Sequence, residues 1–292
     1  MLYNIRLHLH YDYERSAAGG RHHIRVMPQT LPGIQRVIAS SLSFDPAAAE
    51  RSEFTDFFAN TVTSIAYRNP HETLDVTMTA RVNVMRPPTM LDVSPDMAGL
   101  QKEIRNFRSL APDAPHHFLT TSAYAAIDPE ITAYAAESLG QSRTITEAVT
   151  HLNGRIHADF DYAPDVTDVR TSARQAFDLR AGVCQDFTHV MIAGLRGLGI
   201  PAGYVSGFLR TIPPPGEERL EGADAMHAWV RVWCGREAGW QEFDPTNNMT
   251  AGNDHITVGF GRDYGDVSPI VGVLKTSGAQ EGKQSVDVVP LE

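Results

Sequence analysis

The chain reads as an α+β protein: an antiparallel β-sandwich first, then a domain in which a cysteine-bearing helix packs on an antiparallel sheet. Three observations predict this. Period-two alternation dominates the first third of the chain, helical periodicity recurs between Thr144 and Leu198, and strand-like runs return between 202 and 243.

Tyr3, Ile5, Leu7, Leu9 and Tyr11 alternate with polar residues, as do Leu74, Val76, Met78, Ala80, Val82 and Val84. Such spacing puts the apolar set on one face of a strand. Shorter β-like runs lie near 22–28, 36–44 and 60–67, separated by Gly, Pro, Asp and Asn. Residues 1–90 are therefore expected to form the β-sandwich. Residues 91–143, broken by Pro95, Pro112 and Pro115 and holding one short helix over Ile131 to Leu139, are expected to be a linker.

The second domain is expected over 144–292. Ile145, Ala148, Val149, Leu152 and Ile156 share a helical face, and Thr144 with Glu147 has the form of a capping box. A helix follows near 172–179. From Cys184, the residues Phe187, Val190, Met191, Gly194, Leu195 and Leu198 recur at helical spacing until Gly199 and Pro201 stop it. Strands are expected at 202–210, 227–234 and 239–243, with a Pro-rich loop at 212–216.

A hydrophobic content of 42% with 21% charged residues rules out a disordered or fibrous chain. The net charge of −10 argues against a nucleic-acid partner, which needs clustered Lys and Arg. No run approaches the roughly 20 apolar residues of a membrane span, and the start of the chain lacks the pattern of a secretory signal. A cytoplasmic protein is expected. Cys184 and Cys234 are the two cysteines, and both are expected to be thiols.

Cys184 opens a helix, where unpaired backbone N–H groups and the helix dipole favour an anion. The same position suits a nucleophilic thiolate and an oxyanion site; the competing reading is a small apolar filler beside Gly182. His227 and Asp244 lie on or next to adjacent predicted strands, so the carboxylate can orient the ring while its other nitrogen addresses the thiol. The same domain also holds metal-ligand types in Cys184, His189, His227 and Cys234. A zinc site from these four is discounted, because Cys184 and His189 point apart on the helix and Cys234 faces away from His227.

Gly182-Val-Cys184-Gln-Asp-Phe, Met226-His227-Ala-Trp229-Val-Arg-Val and Phe243-Asp244-Pro245-Thr-Asn, in that order, resemble the Cys, His, Asp series of bacterial transglutaminase-like proteins. Thr171-Ser-Ala-Arg, the stretch Gly261 to Pro269 and the β-rich start of the chain are similar to that family too. The resemblance implies a papain-like, transglutaminase-like core with Cys184 as nucleophile, His227 as base then acid, and Asp244 as orienter. It implies an acyl-enzyme thioester on a peptide or protein amide substrate, resolved by water or by an amine, and no cofactor or metal. Animal members carry Trp after the nucleophile; Gln185 stands here, nearer the microbial branch, and calcium activation is not carried over. A non-catalytic module that binds a protein through the β-sandwich is the reading from another class.

Gln185 and Tyr162 are candidate side-chain donors to the oxyanion, with packing beneath the helix as the competing role of Tyr162. Asp186, Trp229, His255 and Asp263 are candidates to line the cleft; core packing for Trp229 and loop ordering for His255 and Asp263 compete.

Overall fold

The computed structural model describes residues 1–87, 91–211 and 224–291, so the Pro-rich loop at 212–216 lies outside the described residues. The architecture is the mixed α+β one, with an antiparallel β-sandwich and a helix-on-sheet domain. The strand expected over 3–11 and the β-like run near 22 are one strand, β1 (Leu2–Ile24). Bulges between Asp12 and Ala17 and between Ala18 and Arg21 bend it, and bulges are how a strand turns a corner. Strands β2 (Gln35–Asp45), β3 (Glu50–Thr55), β4 (Thr61–Tyr67) and β5 (His71–Val84) complete the order β2-β5-β1-β4-β3. The first half of β1 pairs with β5 and the second with β4, so one curled sheet makes both layers. Tyr3, Ile5, Leu7, Leu9, Leu74, Val76, Met78 and Val82 fill the space between them, as their alternation requires.

Residues 91–143 are not a linker. They carry α1 (Met97–Arg105), a 3₁₀ turn at Pro115–Phe118 and α2 (Pro129–Gly140). Ile131 and Ala135 of α2 are buried in the same core as the cysteine helix, so α2 belongs to the second domain. Its proline at the first turn and its Asp128 cap are ordinary helix-start chemistry that the surrounding prolines obscured.

The second domain continues with α3 (Ile145–Asp159), the two-residue strand β6 (Asp161–Tyr162), α4 (Ala173–Leu179), the equally short β7 (Ala181–Gly182) and α5 (Cys184–Gly197). Then follow β8 (Ala202–Leu209), β9 (Ala225–Trp233), β10 (Trp240–Asp244), β11 (Met249–Thr250), β12 (His255–Gly261) and α6 (Tyr264–Val267). The sheet order is β11-β10-β9-β8-β12. Ala228, Val230 and Val232 of β9 meet the helical core, while Phe208, Ile256 and Val258 are buried in the sandwich core. The two domains thus share packing.

The edge strand β12 is covered by side-chain amides of the N-terminal domain. Gln35 donates to the Thr257 carbonyl and accepts from the Thr257 N–H, both at 2.8 Å. Asn60 does the same with Phe260, again at 2.8 Å each way. Each amide satisfies a backbone donor and acceptor that an edge strand otherwise leaves open.

The C-terminal segment departs from the expected domain boundary. β13 (Ile270–Lys275) pairs with β1 over Ala18 to Ile24, and β14 (Gln280–Leu291) pairs with it over Leu2 to Tyr13. Val286 and Val288 are buried in the sandwich core. Residues 270–291 therefore complete the N-terminal sheets. The physical reason is that β1 would otherwise present an unpaired edge along its whole length.

Candidate active site

Two sharp backbone features deliver Cys184 to the first position of α5. Arg180 ends α4 in the left-handed region at φ 52°, and Gly182 adopts φ 157°. A Cβ on Gly182 would lie 2.5 Å from the Asp186 carboxylate, so only glycine lets that side chain fold back here. Asp186 accepts from the Val183 N–H at 2.8 Å and from the Thr167 hydroxyl at 2.7 Å. It is a buried cap that ties the 163–172 loop to the helix, and burial holds its carboxyl above the usual range. It does not line a cleft. Cys184 itself is half-buried; the Asp186 and Phe187 N–H groups reach the Val183 carbonyl, while the Cys184 N–H, at the first helical position, precedes any intrahelical carbonyl.

Tyr162 of β6 pairs with Gly182 of β7, which brings the phenol beside Cys184. It is 60% exposed, so it is not packed under the helix. Burial of the hydroxyl and the neighbouring thiol both raise its pKa. The Gln185 side chain instead turns its NH₂ to the Val169 carbonyl at 3.3 Å. Of the two candidate donors, Tyr162 is the one that lies near the thiol, with no other partner for its hydroxyl among the described residues.

His227 lies on β9 opposite Gly207 of β8, with its ring near Cys184. Asp244 ends β10, one step beyond the Phe243–Val230 pair, which carries its carboxylate diagonally to the His227 ring. His227 Nε2 is 2.8 Å from Asp244 Oδ2. An ionised carboxylate only accepts, so Nε2 bears a proton and Nδ1 is the nitrogen left for the thiol. Burial by itself would lower the His227 pKa; Cys184 and Asp244 outweigh it and push it up to about 10.

The Asp244 carboxylate is fully buried. Oδ1 accepts from the backbone N–H groups of Thr246 (2.9 Å) and Asn247 (3.2 Å). Oδ2 accepts from the Asn247 amide at 2.7 Å and from His255 Nε2 at 3.1 Å. Burial opposes ionisation, yet the hydrogen bonds from His227 and His255 hold the carboxyl well below the usual range. His255 Nδ1 accepts from the Gly252 N–H at 3.2 Å, so its proton sits on Nε2 and it is a neutral donor to Asp244. His255 is thus a partner of the aspartate beneath the cleft, not part of its wall.

Trp229 is also core. Its ring stacks on His227 (centroids 6.1 Å apart, planes at 29°) and meets His255 edge-on at 5.2 Å. Gly207 makes this possible: a Cβ there would lie 2.5 Å from the indole. Asp263 caps α6 through the Gly265 N–H and accepts from the Tyr124 N–H at 2.8 Å, so it orders a loop. His189 is sealed against Tyr124 with Nε2 accepting from the Tyr264 N–H, and burial lowers its pKa to about 4. Burial likewise pushes the Cys234 thiol up to about 12.

Cys184, His189, His227 and Cys234 do not converge. Among the described residues, the group of metal-ligand types whose atoms do converge is His227, Asp244 and His255, within 4.8 Å of one another. Those atoms already satisfy each other as donors and acceptor, which reads as a hydrogen-bond network. Asn247 and the aspartate-bound role of His255 were missed from sequence; the Asn two places past Asp-Pro was the available signal.

Comparison with known proteins identifies the family and the fold. The bacterial transglutaminase-like N-terminal region matches residues 3–83, and the transglutaminase-like superfamily matches residues 132–245. An uncharacterized protein of Mycobacterium tuberculosis (strain H37Rv) is 38% identical over 267 residues, covering 88% of this chain and 83% of its own. One of Mycobacterium leprae is 29% identical over 285 residues, covering 96% of each. The crystal structure of a candidate cysteine protease from Cytophaga hutchinsonii superposes with a TM-score of 0.77 at 22% identity, covering 100% of this chain and 91% of that one. The chain belongs to the transglutaminase-like superfamily and carries the bacterial transglutaminase-like N-terminal region.

Proposed function

We propose that the protein is a thiol-dependent enzyme that cleaves or exchanges an amide bond of a peptide or protein, using Cys184, His227 and Asp244. The observation that carries this reading is that Asp244 holds the His227 ring at 2.8 Å while that ring lies close enough to Cys184 for the thiol to raise its pKa. Sγ adds to the carbonyl carbon, and the Cys184 N–H with the Tyr162 phenol meets the charge that develops on oxygen. The imidazolium then gives its proton to the departing amine as the C–N bond breaks, leaving a thioester on Cys184. Water or a primary amine attacks the thioester, His227 takes the proton, and the thiolate leaves. Two unpaired cysteines fit a reducing compartment, so we place the activity in the cytoplasm.

Alkylation by iodoacetamide at neutral pH tests the thiol–imidazole pair: Cys184 should react at least ~10-fold faster in the wild type than in His227→Asn. Equal rates would sink the proposal. Incubation with peptide mixtures, with mass analysis of the Cys184 peptide, then identifies the acyl group, and adding a primary amine separates exchange from hydrolysis.

A further inference from the structure

Arg86 lies two residues past the end of β5, and its side chain leaves the N-terminal domain to enter the catalytic one. Its Nη2 is 3.0 Å from Glu242 Oε2 and donates to the Thr257 hydroxyl at 3.0 Å, while its backbone N–H donates to Asn253. Both partners of the ion pair are close to nine-tenths buried, their side chains 8% and 11% exposed. The same Glu242 oxygen accepts from the Trp229 indole N–H at 2.6 Å. Trp229 is the fully buried ring stacked on His227 and set edge-on to His255. Glu242 precedes Asp244 by two residues on β10, and Thr257 follows His255 by two on β12. The pair therefore grips both strands that support the His227 imidazole.

Desolvating two charges rarely yields more stability than an apolar pair of the same size. What such a pair does supply is orientation. A charge-assisted bond of 2.6 Å pins the indole in its plane, and the position of that plane decides where the stacked imidazole sits.

We propose that Arg86 and Glu242 are positioning residues for His227: the interdomain pair fixes the Trp229 ring, so the N-terminal domain supplies part of the geometry that makes Cys184 reactive. The inference rests on the thiol chemistry proposed above. Neither residue touches the thiol. The groups that face His227 directly are Cys184 from α5, Asp244 from β10 with Asn247 after it, and the Trp229 and His255 rings; Glu242 and Arg86 stand behind the indole.

The test uses the full chain in four forms: wild type, Arg86→Met, Glu242→Gln and the double variant. The titration midpoint of His227 is followed by the NMR signal of its ring, assigned by its loss in His227→Asn, and Cys184 alkylation by iodoacetamide is timed at neutral pH. Arg86→Met leaves a buried carboxylate behind the indole and should raise the midpoint; Glu242→Gln leaves a buried guanidinium and should lower it, each by ~0.3–1 unit. Each single variant should slow alkylation by roughly 3–10-fold. In the double variant no charge is stranded, so the midpoint should return to within ~0.3 unit of wild type, but with the pair gone alkylation should stay roughly 3–10-fold slower.

Midpoints that stay put or move the same way, or a double variant that alkylates within about 2-fold of wild type, overturn the proposal, since the pair would then act on His227 by charge alone or not at all. If Arg86→Met is insoluble, Arg86→Lys carries the test: the charge remains and the fork to Thr257 is lost, so alkylation should slow while the midpoint holds, and an unchanged rate overturns the idea. Failure of the underlying reading is a different result, in which wild-type Cys184 reacts no faster than in His227→Asn.

Discussion

Asp244 brings together in one buried carboxylate the backbone of Thr246, the backbone and amide of Asn247, and the rings of His227 and His255. So many donors keep the group ionised, which suits an orienter and not a proton acceptor. Asp244→Asn should therefore slow Cys184 alkylation at neutral pH by ~10-fold or more, because the imidazolium loses its counter-charge while the side-chain shape is kept. A rate within about 2-fold of wild type would contradict the role. The pH dependence has a definite sign. His227 is raised from 6.5 to about 10, so its proton is available to a leaving amine through the neutral range and is lost as pH rises through about 10. Its contribution to stability is likewise complete below the unfolded value of roughly 6.5 and disappears across the same window. Thermal unfolding of wild type and His227→Asn should converge above pH 10.

At the level of elements, the thiol helix is aimed by a turn that tolerates little change. Gly182→Ala would place a methyl 2.5 Å from the Asp186 carboxylate at a φ of 157°. The Val183 cap and the Thr167 tether must then shift together. We expect a loss of about 1–3 kcal/mol in urea unfolding, with alkylation of Cys184 slowed even under conditions where the protein is fully folded. A second close approach sits at Gly207, where a Cβ would lie 2.2 Å from the Ile256 carbonyl and 2.5 Å from the Trp229 ring. Gly207→Ala should displace the indole and change the tryptophan emission, whereas Ser206→Ala next to it should leave emission unchanged. The cysteine helix was legible in sequence from its apolar spacing and its stop signals. The turn ahead of it was not, since a left-handed Arg180 carries no sequence mark.

Over the whole molecule, the sandwich and the helix-on-sheet domain are joined by shared core and by polar contacts. Phe208, Ile256 and Val258 lie in the sandwich core, and Gln35 and Asn60 hydrogen-bond β12. Unfolding should be a single transition in calorimetry, with calorimetric and van't Hoff enthalpies in agreement; two resolved transitions would show that the domains are independent. Asn60→Ala removes both partners of the half-buried Phe260 backbone pair and should cost about 1–3 kcal/mol. Deleting residues 270–291 exposes the edge of β1 and uncovers Val286's place in the core, so the shortened chain should aggregate where the full one remains monodisperse in light scattering.

Local pattern by itself determined β2, β4, β5 and β8 to β10, both ends of β1, the helices at Thr144 and Cys184, and the residue types that meet at the candidate site, because period two and period 3.6 depend only on near neighbours. Motif order added Cys184, His227 and Asp244. Tertiary structure decided what joins residues far apart in the chain: β1 serving two sheet layers, the C-terminal strands returning to it, His255 reaching Asp244, and Arg86 reaching Glu242. Pairing across such separations is selected by which edges and buried polar groups remain to be satisfied once the elements pack, and no local period encodes that choice.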